Sequence, residues 1–104
     1  MKKTIFLLII TLISCTNNHE IQTPLQKSNY TKITSYDELK SFVEQLDQES
    51  ELLSLEVIGQ SVQERNLYAL KFSTSEFGND STKIKVLLFV QQHGNEQSGK
   101  EGAL

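Results

Sequence analysis

Gln91-Gln92-His93-Gly94-Asn95-Glu96 follows directly on the apolar run Ile84 to Val90. A histidine and a glutamate three residues apart can turn onto one cation. Imidazole nitrogen and carboxylate oxygen are both zinc donors, and a catalytic zinc takes three protein ligands plus a water. His93 and Glu96 would be two of those three, and no neighbouring residue supplies the third. The element that must position them is the run before them. Apart from Lys85 it shows no polar alternation, the pattern of a strand buried on both faces of a mixed or parallel α/β sheet. Sites in such sheets gather at the carboxyl ends of the strands, where His93 falls.

The segments upstream have the elements to build such a sheet. Ser35 with Glu38 three residues later forms a capping box, and Asp37 and Glu38 put negative charge in a first helical turn. Tyr36, Leu39, Phe42, Val43 and Leu46 recur at helical spacing, which predicts a helix ending near Gln48 to Ser50 with one apolar stripe. Leu53, Leu55 and Val57 alternate with Ser54 and Glu56, a half-buried strand. After Gly59-Gln60-Ser61 a second strand spans about Asn66 to Ser73, with Tyr68, Leu70 and Phe72 on one face and Ala69 and Lys71 on the other; Tyr68 and Phe72 are read as core, and the short connection predicts an antiparallel pair. Ser75 to Thr82, with Gly78-Asn79-Asp80, reads as a surface loop. Ser98 to Leu104 reads as the start of a further helix, with Ser98 as its cap. The fold class is α/β.

The layout is unbalanced. A central strand at Ile84 to Val90 needs helices over both faces, and the chain offers one full helix and a stub. About 70 residues bury little surface, since even a complete 60-residue domain is marginal. Residues 35–104 are therefore expected to be an incomplete, N-terminal part of a larger domain that continues past Leu104.

The first residues follow different rules. Lys2 and Lys3 precede an apolar stretch, Ile5 to Ile13, broken only by Thr11. A membrane-spanning helix needs about 17–25 residues, so the stretch reads as a secretory signal over residues 1–14. Leu12-Ile13-Ser14-Cys15 resembles a bacterial lipobox, which implies acylation of Cys15 and anchoring in the lipid bilayer of the cell envelope. Firm anchoring takes two lipid or electrostatic signals, and a doubly acylated cysteine supplies them. Cys15 is the one cysteine of the chain, so its acylation leaves no thiolate for a metal and no disulfide. Beyond it, residues 15–34 form a polar tract with one proline, read as a flexible tether. His19 lies in that tract and is read as a solvated side chain. Without Lys2 and Lys3 the chain carries 8 basic and 13 acidic side chains, a net of −5. Nucleic-acid binding, which shows itself as a basic patch, has no support.

Taken in order, the helix, the strand, Gly59-x-Ser61-x-x-x-Arg65, the strand with Leu67-Tyr68-Ala69-Leu70, the apolar run and His93-x-x-Glu96 resemble the start of a zinc carboxypeptidase. The family meant is the carboxypeptidase A/B-like metallocarboxypeptidases, and Ser98-Gly99-Lys100-Glu101 is similar to its bacterial members. The resemblance covers about Ser35 to Leu104.

It implies a mixed-sheet fold, one zinc ion, and hydrolysis at the C-termini of peptides or proteins. His93 and Glu96 would be the first two metal ligands. The family's third ligand, a histidine, and its catalytic glutamate would lie beyond Leu104, so no catalytic residue is assigned in this chain. Two positions depart from the family: Glu64 stands where glycine is usual before the arginine, and Asn95 stands where many members have arginine. Arg65 is expected to be structural. Glu101 is the one spare acid near the pair and is read as solvated. Two functions follow: a membrane-tethered carboxypeptidase represented by an N-terminal portion inactive alone, or a non-enzymatic lipoprotein module that keeps only part of the sheet.

Overall fold

The computed structural model describes residues 21–104; the signal stretch, Cys15 and His19 lie outside the described residues. Helix α1 is a single turn, Pro24–Lys27, set by a Thr23–Gln26 capping box and proline at its first position. It sits in the segment read as a tether, which therefore holds local structure before the longer helix begins.

Helix α2, Tyr36–Glu49, starts where the sequence predicts. Ser35 accepts from the Glu38 backbone and Glu38 reaches back to Ser35. The stripe buries Phe42 and Val43, which are 4% and 1% exposed. Strands β1, Leu53–Gln60, and β2, Asn66–Phe72, form a two-stranded antiparallel sheet. Leu53 faces Phe72 and Val57 faces Tyr68; Gly59 then faces Leu67, leaving Ile58 as the extra residue of a bulge.

Helix α2 packs against β1 and is tied to the hairpin at both ends. At its start the Tyr36 hydroxyl accepts from the Asn66 N–H at 2.9 Å and stacks near Tyr68, with ring centroids 6.4 Å apart. At its far end Asp47 Oδ1 accepts from the Leu55 N–H at 2.7 Å. Phe42, Val43 and Leu53 form the buried apolar core among the described residues. Phe72, expected inside, is 65% exposed, although its cross-strand neighbour Leu53 is buried.

The larger departure is Ile84 to Val90. It is not a strand, and Ile84, Val86 and Leu87 are 83–90% exposed. The composition of a central strand is present without the hydrogen-bonding neighbours that make one. Among the described residues neither edge of the hairpin pairs with it. The α/β class and the antiparallel pair stand; the buried central strand does not form here.

Helix α3, Gln97–Ala103, closes the chain. Its N-cap is Glu96, one residue ahead of the helix, and Ser98 lies inside the first turn. No helix among the described residues is long and apolar enough to cross a membrane.

Candidate metal centre

His93 and Glu96 meet. Gly94 and Asn95 occupy the centre of a turn closed by the Glu96 N–H donating to the His93 carbonyl at 3.1 Å. Such a turn brings residues i and i+3 together, and glycine and asparagine suit its central positions. The side chains follow the backbone: His93 Nδ1 and Glu96 Oε2 are 3.0 Å apart, with Nδ1–H as donor in the tautomer that makes this a hydrogen bond. Both are open to solvent, 66% and 61% exposed, so a cation could reach them.

Glu96 also explains the uncapped helix. As N-cap of α3 it makes no side-chain bond to the helix's free N–H groups. Its carboxylate is turned to the imidazole instead. Just upstream, Gln91 holds a left-handed φ of 53°, where the chain changes direction out of the apolar run.

The donor chemistry fits zinc. Bonds of about 2.0–2.2 Å at a tetrahedral angle set two donor atoms about 3.4 Å apart. The pair at 3.0 Å needs only a few tenths of an ångström of opening to exchange the shared proton for a metal. The set is incomplete: among the described residues no three His, Cys, Asp or Glu side chains converge.

The upstream motif is a turn. Ser61 Oγ accepts from the N–H groups of Gln63 and Arg65 at 3.3 and 3.2 Å, and Ser61 N–H donates to the Arg65 carbonyl at 2.8 Å. The Arg65 guanidinium lies over the Tyr36 ring, 5.5 Å from its centre, which joins the turn to the start of α2.

A family model described as zinc carboxypeptidase matches residues 39–104, well over half of the chain. The chain belongs to the zinc carboxypeptidase family. No curated relative and no solved structure matches it. The zinc carboxypeptidase match takes in the hairpin, the Ser61–Arg65 turn and the His93–Glu96 pair together. The zinc chemistry of a hydrolase family thus goes with a chain whose two exposed donors are already in contact.

Sequence reasoning missed one cluster. Glu101, read as solvated, has a side chain only 11% exposed and is bound to Thr34, 67 residues earlier. No local pattern marks that pairing; a carboxylate in a short helix was the one visible trace.

Proposed function

We propose that His93 and Glu96 are two zinc ligands of a metallocarboxypeptidase acting on the C-termini of peptides or proteins. The observation that carries the assignment is the 3.0 Å contact between imidazole Nδ1 and carboxylate Oε2 within the family-matched region. When bound, zinc polarises the scissile carbonyl and lowers the pKa of a water. His93 would give Nδ1 to the metal as a neutral imidazole, with its ring proton on Nε2. Glu96, with its oxygen committed as a ligand, cannot also be the general base, and that role falls to a group outside the described residues. On this reading these 104 residues alone hydrolyse no peptide, because two protein donors leave the metal mostly to water. The chain is further proposed to be held at the bacterial cell envelope through acylated Cys15, with the polar residues after it as the spacer.

A four-donor structural zinc site is worth roughly 10–16 kcal/mol, so two donors give about 5–8 kcal/mol. That range corresponds to a Kd between about 0.2 mM and about 1 µM, and without a thiolate the weak end is expected. Zinc titration of the purified chain, followed by the backbone amide resonances of residues 91–97, should give a Kd on the order of 0.1 mM. His93→Ala should remove the binding and His19→Ala should leave it. Unchanged binding in His93→Ala would sink the ligand assignment. Release of a C-terminal residue from a test peptide by this chain, lost in His93→Ala, would show that it hydrolyses after all. Retention of Cys15→Ser on membranes would count against the anchor.

A further inference from the structure

Thr34 is the one buried polar residue among the described residues, 2% exposed. All of its polar groups go to two adjacent residues of α3. Its N–H donates to Glu101 Oε1 and its hydroxyl to Glu101 Oε2, both at 2.8 Å. Its carbonyl accepts from Lys100 Nζ, which also lies 3.3 Å from Glu101 Oε1. Both side chains are largely shielded, 13% for Lys100 and 11% for Glu101. Burial works to raise the Glu101 pKa, but the hydrogen bonds from Thr34 and Lys100 outweigh it and leave it below its ordinary value. The carboxylate is therefore charged when it holds Thr34, and charge-assisted bonds are the stronger kind.

A seven-residue helix is too short to persist on its own, and α3 has no side-chain cap. What fixes it must come from outside. One support is a close approach: a methyl on Gly99 would lie 3.4 Å from the Gln91 backbone nitrogen. The other is the Thr34 clamp, and Thr34 directly precedes Ser35, the cap of α2. The clamp thus ties α3 to α2, the helix that buries Phe42 and Val43. Glu96, whose carboxylate faces His93, is the N-cap residue immediately before α3.

We infer that Glu101, anchored on Thr34, is a positioning residue for the metal pair: it fixes α3 and so holds the Glu96 carboxylate against His93. The inference rests on the zinc reading of that pair. It also makes a residue outside the family-matched region, Thr34, part of what shapes the site.

The test is zinc affinity of the full chain, followed by NMR, in Glu101→Gln, Thr34→Val and Thr34→Ser. Outer groups that orient metal ligands are typically worth 10–100-fold in affinity. Glu101→Gln should weaken zinc about tenfold and Thr34→Val by several fold, while Thr34→Ser, which keeps both donors, should match the unaltered chain. In parallel, urea melting followed by tyrosine fluorescence reports on the Tyr36–Tyr68 pair in the helix–hairpin core. A Glu101→Gln chain whose core melts as before but whose zinc affinity falls bears the inference out. Unaltered zinc affinity in Glu101→Gln overturns it and leaves the His93–Glu96 reading standing. Zinc binding indifferent to His93→Ala overturns that reading, and the positioning role with it. If Glu101→Gln lowers core stability and affinity together, the Thr34 pair decides: equal affinities for the valine and serine variants overturn the inference.

Discussion

Glu64 has a left-handed backbone, with φ of 58°, in the turn that joins β1 to β2. A side chain in that region costs roughly 1–2 kcal/mol through the clash of Cβ with the following carbonyl. Glycine escapes the clash, but it has more freedom to lose on folding, which takes back about 0.5–1 kcal/mol. Glu64→Gly should therefore stabilise the domain by about 0.5–1 kcal/mol. In a domain this small that raises Tm by roughly 2–8 °C. The glutamate side chain makes no hydrogen bond that would be lost, and the turn bond from its N–H to the Ser61 carbonyl, 2.9 Å, is a backbone bond that glycine keeps. Thermal melting followed by far-UV circular dichroism measures the shift, with Glu64→Ala as the control. Alanine keeps Cβ and so keeps the strain. An equal gain from Glu64→Ala and Glu64→Gly would refute the argument, since the benefit would then come from removing the carboxylate.

Glu38 is held at a pKa of about 2, against an ordinary 4.5, first by the hydrogen bond from Lys32 and then by those from Ser35. A depressed folded pKa stabilises above pH 4.5 and loses that contribution as pH falls toward 2. Glu38→Gln should flatten the loss of stability over that window in urea melts at stepped pH, and an unchanged slope would exclude Glu38 as its source. Phe42→Ala should cost about 3 kcal/mol. With so few buried apolar residues that is enough to abolish cooperative unfolding in circular dichroism; a sharp transition within 1 kcal/mol of the unaltered chain would contradict it. Asp47→Ala removes the acceptor on the Leu55 N–H and should cost about 1 kcal/mol by the same melt, less than a buried bond because water can replace it.

The elements that could be read from the sequence are those stabilised by neighbours close along the chain. Helix α2 carries its own start signal in Ser35 and Glu38 and its own burial pattern, and both are met. The hairpin follows from the alternation of Leu53, Leu55 and Val57 and from the short connection to Asn66; Gly59 and Gln60 extend β1, and the turn itself begins at Ser61. The meeting of His93 and Glu96 was legible because a turn through Gly94 and Asn95 is a local event. Ser98 is not the cap, because cap preference is statistical: Glu96 takes the position while its carboxylate contacts His93. Thr34 and Glu101 were out of reach, since nothing near either residue names a partner 67 positions away. Glu64, where the resemblance implies a glycine, holds a left-handed φ that glycine adopts without strain.

The apolar run Ile84 to Val90 links the fold to the site most closely. Its side chains are the kind that a sheet interior selects, yet Ile84, Val86 and Leu87 are almost wholly in water. Strand formation is not a property of a segment alone, because its backbone groups need partners on both edges as well as cover on both faces. His93 and Glu96 stand just past the end of this run, after the left-handed Gln91. Whatever pairs with Ile84 to Val90 would therefore also fix the direction from which His93 leaves the sheet. Zinc affinity and sheet formation should then rise together, as expected where metal binding is coupled to folding. Pairing that run, for example by adding a strand in trans, should tighten zinc and slow amide exchange over 84–90 in the same titration. Tightening without protection of those amides would separate the two and show that the turn and the Thr34 clamp set the metal pair by themselves.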